Sequence, residues 1–564
     1  MARLFRGLRN DDPKKRYDAV VVGAGVAGLV GAALLAEAGL SVLLVEQHYM
    51  VGGYCSTFRR MGYTFDAGTH FYPLLGNPGT VTGKLMKDLK VDCQWVAMDP
   101  VDHFHFPDGS SFQVPADFDL YLRRLKERFP QEAHSLDAFF AEVRRLYMYG
   151  LVQYFRWRQS PHLKHFQEET LAQALDRHFQ DKRLKLLLCA DSAHWGSPPT
   201  RTSYVFDCML RLAYFLGNYY PLGGSQRFAD ALALRVEEMG GDILMSSRVR
   251  RIEVEEGRVT GIETVTGRQQ TVHRVSTPRV LYNGDLRLLM DELLDSRWVP
   301  DRLADLVSGL RTSVPCYLTH IGLKGASRER LQAIHGYYWD VWDPETLARN
   351  GFRFKLFVPT LYDPSLCKPD RHILIVQKVI DEDYRSISAG DSPPRDSVWR
   401  QGACRQILEM RREQGNGQPA GPPGEKSGLA KGPWTRRKLD FQNWVCGQLE
   451  RVWPGIHKHI EVALTATSDT SFRYTLNQKG AMLGWEMAPD QLAQERPGLR
   501  GPVDGLYFAG HWTQPGGGIT PVIISAQRAV QMALEDAGRS ASPRPGQSPR
   551  PRPSPQSGGE PGRG

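Results

Sequence analysis

With 564 residues, 41% of them hydrophobic and 24% charged, the chain has ordinary globular composition and enough length for two or three domains around a large core. Its net charge of +9 sits at the two ends. Residues 1–16 carry six basic and two acidic side chains and 537–564 carry five Arg and one Glu, which leaves about +1 for the body and argues against a folded nucleic-acid-binding face. The eight cysteines (Cys55, Cys93, Cys189, Cys208, Cys316, Cys367, Cys404, Cys446) form no CxxC pair and no cluster with His, so they read as reduced thiols in a cytosolic-type compartment, not as a disulfide framework or a metal site.

In chain order, the first predicted unit is Tyr17–Glu46: a strand over Ala19–Val22, a turn Gly23-Ala-Gly25-Val-Ala-Gly28, a helix, and a strand over Ser41–Glu46. Gly23 permits the tight turn, Gly25 lets backbone approach a pyrophosphate and Gly28 allows close helix–strand packing, which together describe a site for the ADP half of a dinucleotide. Glu46 follows Gly28 by 18 residues, where an acid accepts from both ribose hydroxyls and repels a 2′-phosphate, disfavouring NADP. Ala19–Ala36 is uncharged and lies behind a basic segment, the pattern of a signal peptide or membrane span, but its turn glycines argue against both and no other segment approaches a span.

The stretch Gly52-Gly53 to Asp66-Ala-Gly68 predicts a loop lying along an extended cofactor. Residues 79–115 read as short strands and turns, and 116–219 as a helical lobe. Phe139, Phe140, Tyr147, Tyr149, Tyr154, Phe155, Trp157 and Phe166 crowd one part of that lobe, either as core or as the wall of an apolar tunnel or a membrane-contacting surface. Tyr219-Tyr-Pro-Leu-Gly-Gly-Ser225 opens a helix over Gln226–Met239, a hairpin covers Asp242–Val272, and Val280-Leu-Tyr-Asn283 returns the chain to the cofactor domain. Residues 291–464 form a second excursion, broken by the Pro/Gly-rich insertion 413–433. Gly505–Val522 (GLYFAGHWTQPGGGITPV) leads into a helix over Ile523–Leu534 and offers backbone N–H groups a second time, as the far end of a long two-part cofactor requires. Residues 537–564 are Pro/Ser/Gly/Arg-rich and expected to be disordered. The basic flanks either hold the protein against an anionic membrane surface or only solubilise it.

These blocks, GAGVAGLVGAALLAEAG, VEQHYMVGGYCSTFRRMGYTFDAGTHF, YYPLGGSQRFADAL and GLYFAGHWTQPGGGITPV, resemble in sequence and order the carotenoid desaturase, carotenoid isomerase and retinol saturase family of FAD-dependent oxidoreductases. The resemblance covers nearly all of the chain outside the tails and the insertion. It implies an α/β fold: a Rossmann-type, glutathione-reductase-like FAD-binding domain assembled from 17–115, 220–290 and 465–536, with a second α+β substrate domain over 291–464 and the helical lobe. It also implies that Gly23, Gly25, Val26, Ala27 and Gly28 hold the pyrophosphate, Glu46 and Gln47 the ribose, and Gly52 and Gly53 the second phosphate and ribityl region. Val249 would bind adenine through its backbone, and Asp66, Gly68, Asn283, Gly510, Gly517, Gly518, Ile519 and Val522 would complete the ribityl and flavin surroundings. One departure is His511, where many relatives in the wider superfamily carry an acid.

The implied activity is desaturation or cis/trans isomerisation of a long apolar isoprenoid polyene, with a retinol-saturase-like reduction as the alternative. The flavin supplies that chemistry, which explains the lack of a triad, a carboxylate pair or a metal motif. No second dinucleotide fingerprint is present, so electrons pass to or from quinone, oxygen or a diffusing nicotinamide. His70, in DAGTHFY, is either a proton donor or flavin contact or a structural histidine; Asp191, His194 and Arg201 either face the tunnel or end helices at the surface. Two rival readings remain. An amine-oxidase or protoporphyrinogen-oxidase-like enzyme usually has a Lys near the flavin, for which Lys479 is the candidate. A non-catalytic prenyl-binding protein resembling the Rab GDP-dissociation inhibitors has no need of the PGGGI turn. The expected location is the cytoplasmic or stromal-type face of a membrane, held peripherally.

Overall fold

The computed structural model describes residues 5–8, 12–155, 158, 160–191, 196–340, 352–380 and 433–538. His194, Trp157 and all of the 413–433 insertion except Pro433 lie outside them, as does the C-terminal segment from residue 539. Pro433 itself is the first residue of the helix Pro433–Val452.

Five short strands form a parallel sheet in the spatial order Leu506–Phe508, Val280–Tyr282, Ala19–Val22, Val42–Val45, Asp242–Leu244. The first strand is central because it is apolar on both faces: Ala19, Val20 and Val21 are buried between helices on one side and the strands' other packing layer on the other. Helix Val26–Glu37 is also apolar all round, which would suit a membrane but here reflects packing against the helices Ser225–Glu238 and Ile519–Asp536. This mixed α/β arrangement around a parallel sheet is the Rossmann-like architecture expected for an FAD-binding domain.

The predicted hairpin at 242–272 needs correction. Its first strand, Asp242–Leu244, belongs to the parallel sheet, and the next three, Ser247–Glu255, Arg258–Thr266 and Thr271–Ser276, make an antiparallel meander. The final helix begins at Ile519, earlier than the expected Ile523, because Gly518 already stands at its N-cap with φ +105°. Pro521 falls inside its first turn, where a missing N–H costs nothing.

A seven-stranded sheet lies beyond, in the order Ile460–Ala466, Cys316–Lys324, Arg371–Val379, Phe352–Phe357, Gly336–Trp339, Asp102–His105, Ser111–Val114. The last two strands come from the segment that the sequence groups with 17–115; Tyr337 and Tyr338 pair in parallel with Phe104 and His105. One face of this sheet packs Tyr317, Ile321, Leu356, Leu374 and Val376 against Phe441, Trp444, Val445 and Leu449 of helix Pro433–Val452. The alternate residues point the other way, toward the site.

The helical lobe comprises Phe118–Arg128, Ala133–Gly150, Leu171–His178, Lys182–Leu188 and Tyr204–Phe215, and the second of these runs into a π-helical turn, Leu151–Phe155. The N-terminal segment is not a free tail in its described part. The Arg6 and Gly7 N–H groups donate to Glu237 Oε1 at 2.9 and 2.7 Å, and Lys14 Nζ pairs with Asp242 at 2.9 Å, so these residues dock on the end of helix Ser225–Glu238 and on the edge strand Asp242–Leu244.

Candidate functional site

All the residues expected to hold the cofactor, except Gly28 and Asp66, line one continuous cavity of 1080 Å³. It lies above the carboxyl ends of the parallel strands, where open α/β sheets bind their ligands. Gly23 adopts φ +94°, a conformation that L side chains rarely adopt, and Gly25 is the N-cap of helix Val26–Glu37, so the helix's first N–H groups face the cavity. Gly28 acts one layer below: a Cβ there would come within 1.9 Å of Gly23 O, so it sets helix–strand packing and does not line the cavity.

Glu46 ends the second strand with its carboxylate turned back on the turn. Oε2 accepts from Ala24 N–H at 2.7 Å and Oε1 from His48 N–H at 2.8 Å. Burial pushes the carboxyl up to about 7, against the pull of these backbone donors. Val249 lies beside Glu46 in the cavity wall, at an irregularity between Val249 and Arg251 where the meander's register shifts. At the other end Gly518 repeats the N-terminal device with helix Ile519–Asp536. Asn283 ties the two turns together: its Nδ2 donates to Gly23 O at 3.4 Å, and its Oδ1 lies 2.4 Å from where a Cβ on Gly510 would stand. Two helix N-termini, an acid at the strand end and backbone space that a Cβ would fill make a cradle that fits FAD.

Asp66 is a correction. It does not line the cavity; its buried carboxylate accepts from Ser225 N–H at 2.8 Å and from the Tyr220 hydroxyl at 2.5 Å, and its carbonyl pairs with His320 Nε2 at 2.8 Å. Ser225 Oγ also donates to Thr69 O at 2.7 Å. The YYPLGGS segment therefore clamps the DAG loop that carries Gly68 and His70 into the cavity.

His70 lines the cavity, with Nδ1 3.0 Å from Gly68 O and its ring stacked on Phe357 at 4.3 Å. Burial, then the Lys355 ammonium, drives its pKa down to about 3, so it is neutral at ordinary pH. His511 is half-buried, and desolvation and then Arg496 hold its pKa down to about 3; its Nε2 lies 3.4 Å from Asn477 Oδ1. At this position the chain presents a neutral ring.

Beyond the cradle the cavity widens into a chamber between the helical lobe and the seven-stranded sheet. Tyr147, Leu151, Tyr154 and Phe155 supply part of its wall, while Phe139 and Phe140 are core and Tyr149 stacks on His162 at 4.7 Å. The aromatic run thus divides between the two expected uses. Sequence reasoning missed the stripe Phe206, Met209, Leu210, Ala213 and Tyr214, although its spacing along helix Tyr204–Phe215 is the signature of one face. It also missed the sheet residues Cys316, Leu318, His320, Gln377, Leu464 and Ala466, which converge only after the strands pair.

Asp191 and Arg201 do not line the chamber. Arg201 Nε donates to the buried Glu486 at 2.8 Å, beside Arg311 on the same carboxylate at 3.0 Å. Asp191 is raised to about 6 by burial, opposed by Arg211. Lys479 is exposed and off the cavity.

Residues 26–399 match the family model for flavin containing amine oxidoreductases. Among curated relatives, a chloroplastic prolycopene isomerase of Arabidopsis thaliana is 21% identical over 95% of this chain and 86% of its own length. An all-trans-retinol 13,14-reductase of Rattus norvegicus is 28% identical over 58% of this chain and 57% of its own. Among solved structures, an oxidoreductase from Methanosarcina mazei superposes with a TM-score of 0.58 at 17% identity, covering 91% of this chain and 99% of that one. Putrescine oxidase gives 0.60 at 15%, covering 93% and 100%; at this identity both show the fold alone. With a helix N-terminus at each end of one FAD-sized cradle and about two thirds of its length matched, the chain belongs to the flavin containing amine oxidoreductase family and is an FAD-dependent oxidoreductase of the carotenoid isomerase, carotenoid desaturase and retinol reductase group.

Proposed function

We propose that this oxidoreductase acts on carbon–carbon bonds of a long apolar polyene, by desaturation or cis/trans isomerisation. The observation that carries the reading is the chamber: an apolar space walled by the Phe206–Tyr214 stripe, the π-helical turn and the sheet face, continuous with the FAD cradle. Bound flavin supplies hydride and electron chemistry that no side chain offers. Gly23, Gly25, Val26, Ala27 and Glu46 hold the ADP half; Gly52, Gly53, Gly68, Asn283, Gly510, Gly517, Gly518, Ile519 and Val522 hold the remainder, with Val249 and Gln47 at the adenosine end. The lobe and sheet orient the polyene and exclude water. The buried His70 and the half-buried His511, both neutral, contribute shape and dipoles there, not charge.

The chamber reaches the surface beside Val81 and Leu216, which are 51% and 43% exposed. Exposed apolar residues at a portal suit uptake of substrate from a membrane surface. Among the described residues no helix is long and apolar enough to cross a membrane, so the association we propose is peripheral. The electron partner is a diffusible quinone, oxygen or nicotinamide.

A saturating reaction is the second reading, favoured by similarity to a protein named as a retinol reductase. An amine oxidation is disfavoured by Lys479, which stands outside the cavity. Expression in hosts that accumulate phytoene, poly-cis lycopene or retinol, followed by identification of the altered pigment, separates these reactions. A pigment profile unchanged in all three hosts contradicts the polyene reading and leaves the FAD enzyme standing.

A further inference from the structure

Behind the glycine turn 515–518, which the reading above gives to the flavin half of the cofactor, stands Arg496, 1% exposed. Three residues of the cavity wall touch it. Its guanidinium carbon lies 3.4 Å from where a Cβ on Gly516 would stand, Nη1 donates to His511 O at 3.2 Å, and Nη2 lies 3.3 Å from Met487 Sδ. The remaining contacts are main-chain carbonyls: Nε donates to Gln491 O at 2.8 Å, and Nη2 to Trp485 O and Glu486 O at 3.0 and 2.8 Å. Among the described residues no carboxylate pairs with this cation. The acid adjoining it in the fold, Glu486, is engaged with Arg201 and Arg311.

Carbonyl dipoles solvate a guanidinium but do not neutralise it, and a buried cation without an anion is unfavourable. Burial lowers the pKa of Arg496 to about 9, so it stays charged at ordinary pH. Its neighbours on the cavity side carry no charge: His511 is neutral, and burial drives the Tyr154 phenol up. The N-terminus of helix Ile519–Asp536 adds partial positive charge to the same turn. Two positive sources thus converge on one wall of the cavity. A substrate carboxylate cannot be their partner by contact, because the guanidinium lies one residue layer behind the wall with its donors already engaged.

We propose that Arg496 is an electrostatic tuning residue: acting through the turn and not by contact, its guanidinium is the counter-charge for the anionic reduced form of the bound flavin and raises the flavin's reduction potential. The inference rests on the FAD cradle and holds whichever polyene is the substrate. Uptake of two electrons and one proton, the proton at N5, gives the flavin ring system one net negative charge. A hydrocarbon substrate brings no charge of its own, so the anion that this wall answers is the flavin's. The field of Arg496 acts equally on either direction of the reaction, since it sets the potential and not the substrate.

The test is the two-electron midpoint potential of the FAD-loaded full chain, read spectroscopically against reference dyes with xanthine and xanthine oxidase as the electron source. From pH 6 to 8 the wild-type potential is expected to fall with one proton per two electrons, about 30 mV for each tenfold change in proton concentration. His70, His511 and Tyr154 do not titrate in that window, and Glu46 stands at the far, adenosine end. Twice that slope marks a neutral reduced ring and overturns the proposal. At pH 6, Arg496→Met and Arg496→Gln are expected to lose about tenfold in preference for the reduced state, a potential lower by about 30 mV. Arg496→Lys disturbs the same carbonyls but keeps the charge, and is expected to stay within about twofold of wild type. A merely structural role moves all three variants alike, so equal potentials in Arg496→Met and Arg496→Lys overturn the assignment. If neither neutral variant retains flavin, the wild-type slope decides by itself.

Discussion

The Tyr220 hydroxyl donates to Asp66 Oδ2 at 2.5 Å across 154 residues of sequence. The contact joins the YYPLGGS segment to the DAG loop, so two blocks that look like separate cofactor motifs in the sequence form a single clamp. Tyr220→Phe removes one donor and leaves part of a buried carboxylate unpaired. We expect a loss of about 1.5–3 kcal/mol in stability, read as a lower denaturation midpoint, with a smaller effect on flavin retention.

Gly28→Ala places a Cβ 1.9 Å from Gly23 O, where only backbone can yield. The helix must move away from the strand, and the phosphate-facing turn moves with it. The expected result is destabilisation of about 1–3 kcal/mol or more together with loss of the flavin absorption band after purification. Full flavin retention in Gly28→Ala would show that this packing does not shape the cradle.

Glu46 gives the cofactor-free protein a pH dependence of defined sign. Its folded pKa of about 7 lies above the ordinary value of 4.5, so the fold favours the protonated acid. The stability this contributes is fully present below pH 4.5 and is lost as pH rises to about 7, by roughly 3 kcal/mol. Glu46→Gln is expected to abolish that part of the difference between pH 5 and pH 8 in thermal midpoint. Because ribose hydroxyls donate to the carboxylate form, FAD affinity is expected to rise with pH through about 7 in wild type and to stay flat in Glu46→Gln.

Leu210 faces the chamber midway along the lobe's apolar stripe. Leu210→Trp fills space that the polyene needs while leaving the cradle intact. We expect at least a tenfold fall in kcat/KM for long polyenes with unchanged flavin content. Equal turnover by the Trp variant would place the substrate elsewhere.

Lys479→Gln, at an exposed position off the cavity, is expected to change stability by no more than about 0.5 kcal/mol and to leave the flavin spectrum unaltered. A shifted flavin spectrum would bring the lysine into the site and revive the amine-oxidase reading.

The cradle is legible in the sequence because it is made of local backbone: Gly23, Gly25 and Gly518 act through turn geometry and helix N-termini, which neighbouring residues determine. Asp66 misleads for the opposite reason. Its partners, Ser225 and Tyr220, are distant in the chain, and nothing near Asp66 distinguishes a carboxylate facing a cofactor from one clamped by another segment. The chamber is half legible. The aromatic run 139–166 advertises apolar surface without saying which rings face inward, and Gln377 joins the wall only once the strand pairings set it between Leu318 and Lys355. The strands Asp102–His105 and Ser111–Val114 come after the cofactor segment in sequence yet pair in the other sheet, because their partner Gly336–Trp339 arrives more than two hundred residues later.

The most direct measurement is anaerobic incubation of the purified, FAD-loaded protein, in one series with the flavin oxidised and in a second with it reduced beforehand by dithionite, with phytoene, poly-cis lycopene and all-trans-retinol in parallel, with chromatographic identification of each polyene and the flavin spectrum followed throughout. The expected result is a product altered in the number or geometry of its double bonds from at least one of the three. Unchanged polyenes, with flavin reduction and peroxide release on adding amines and air, would contradict it.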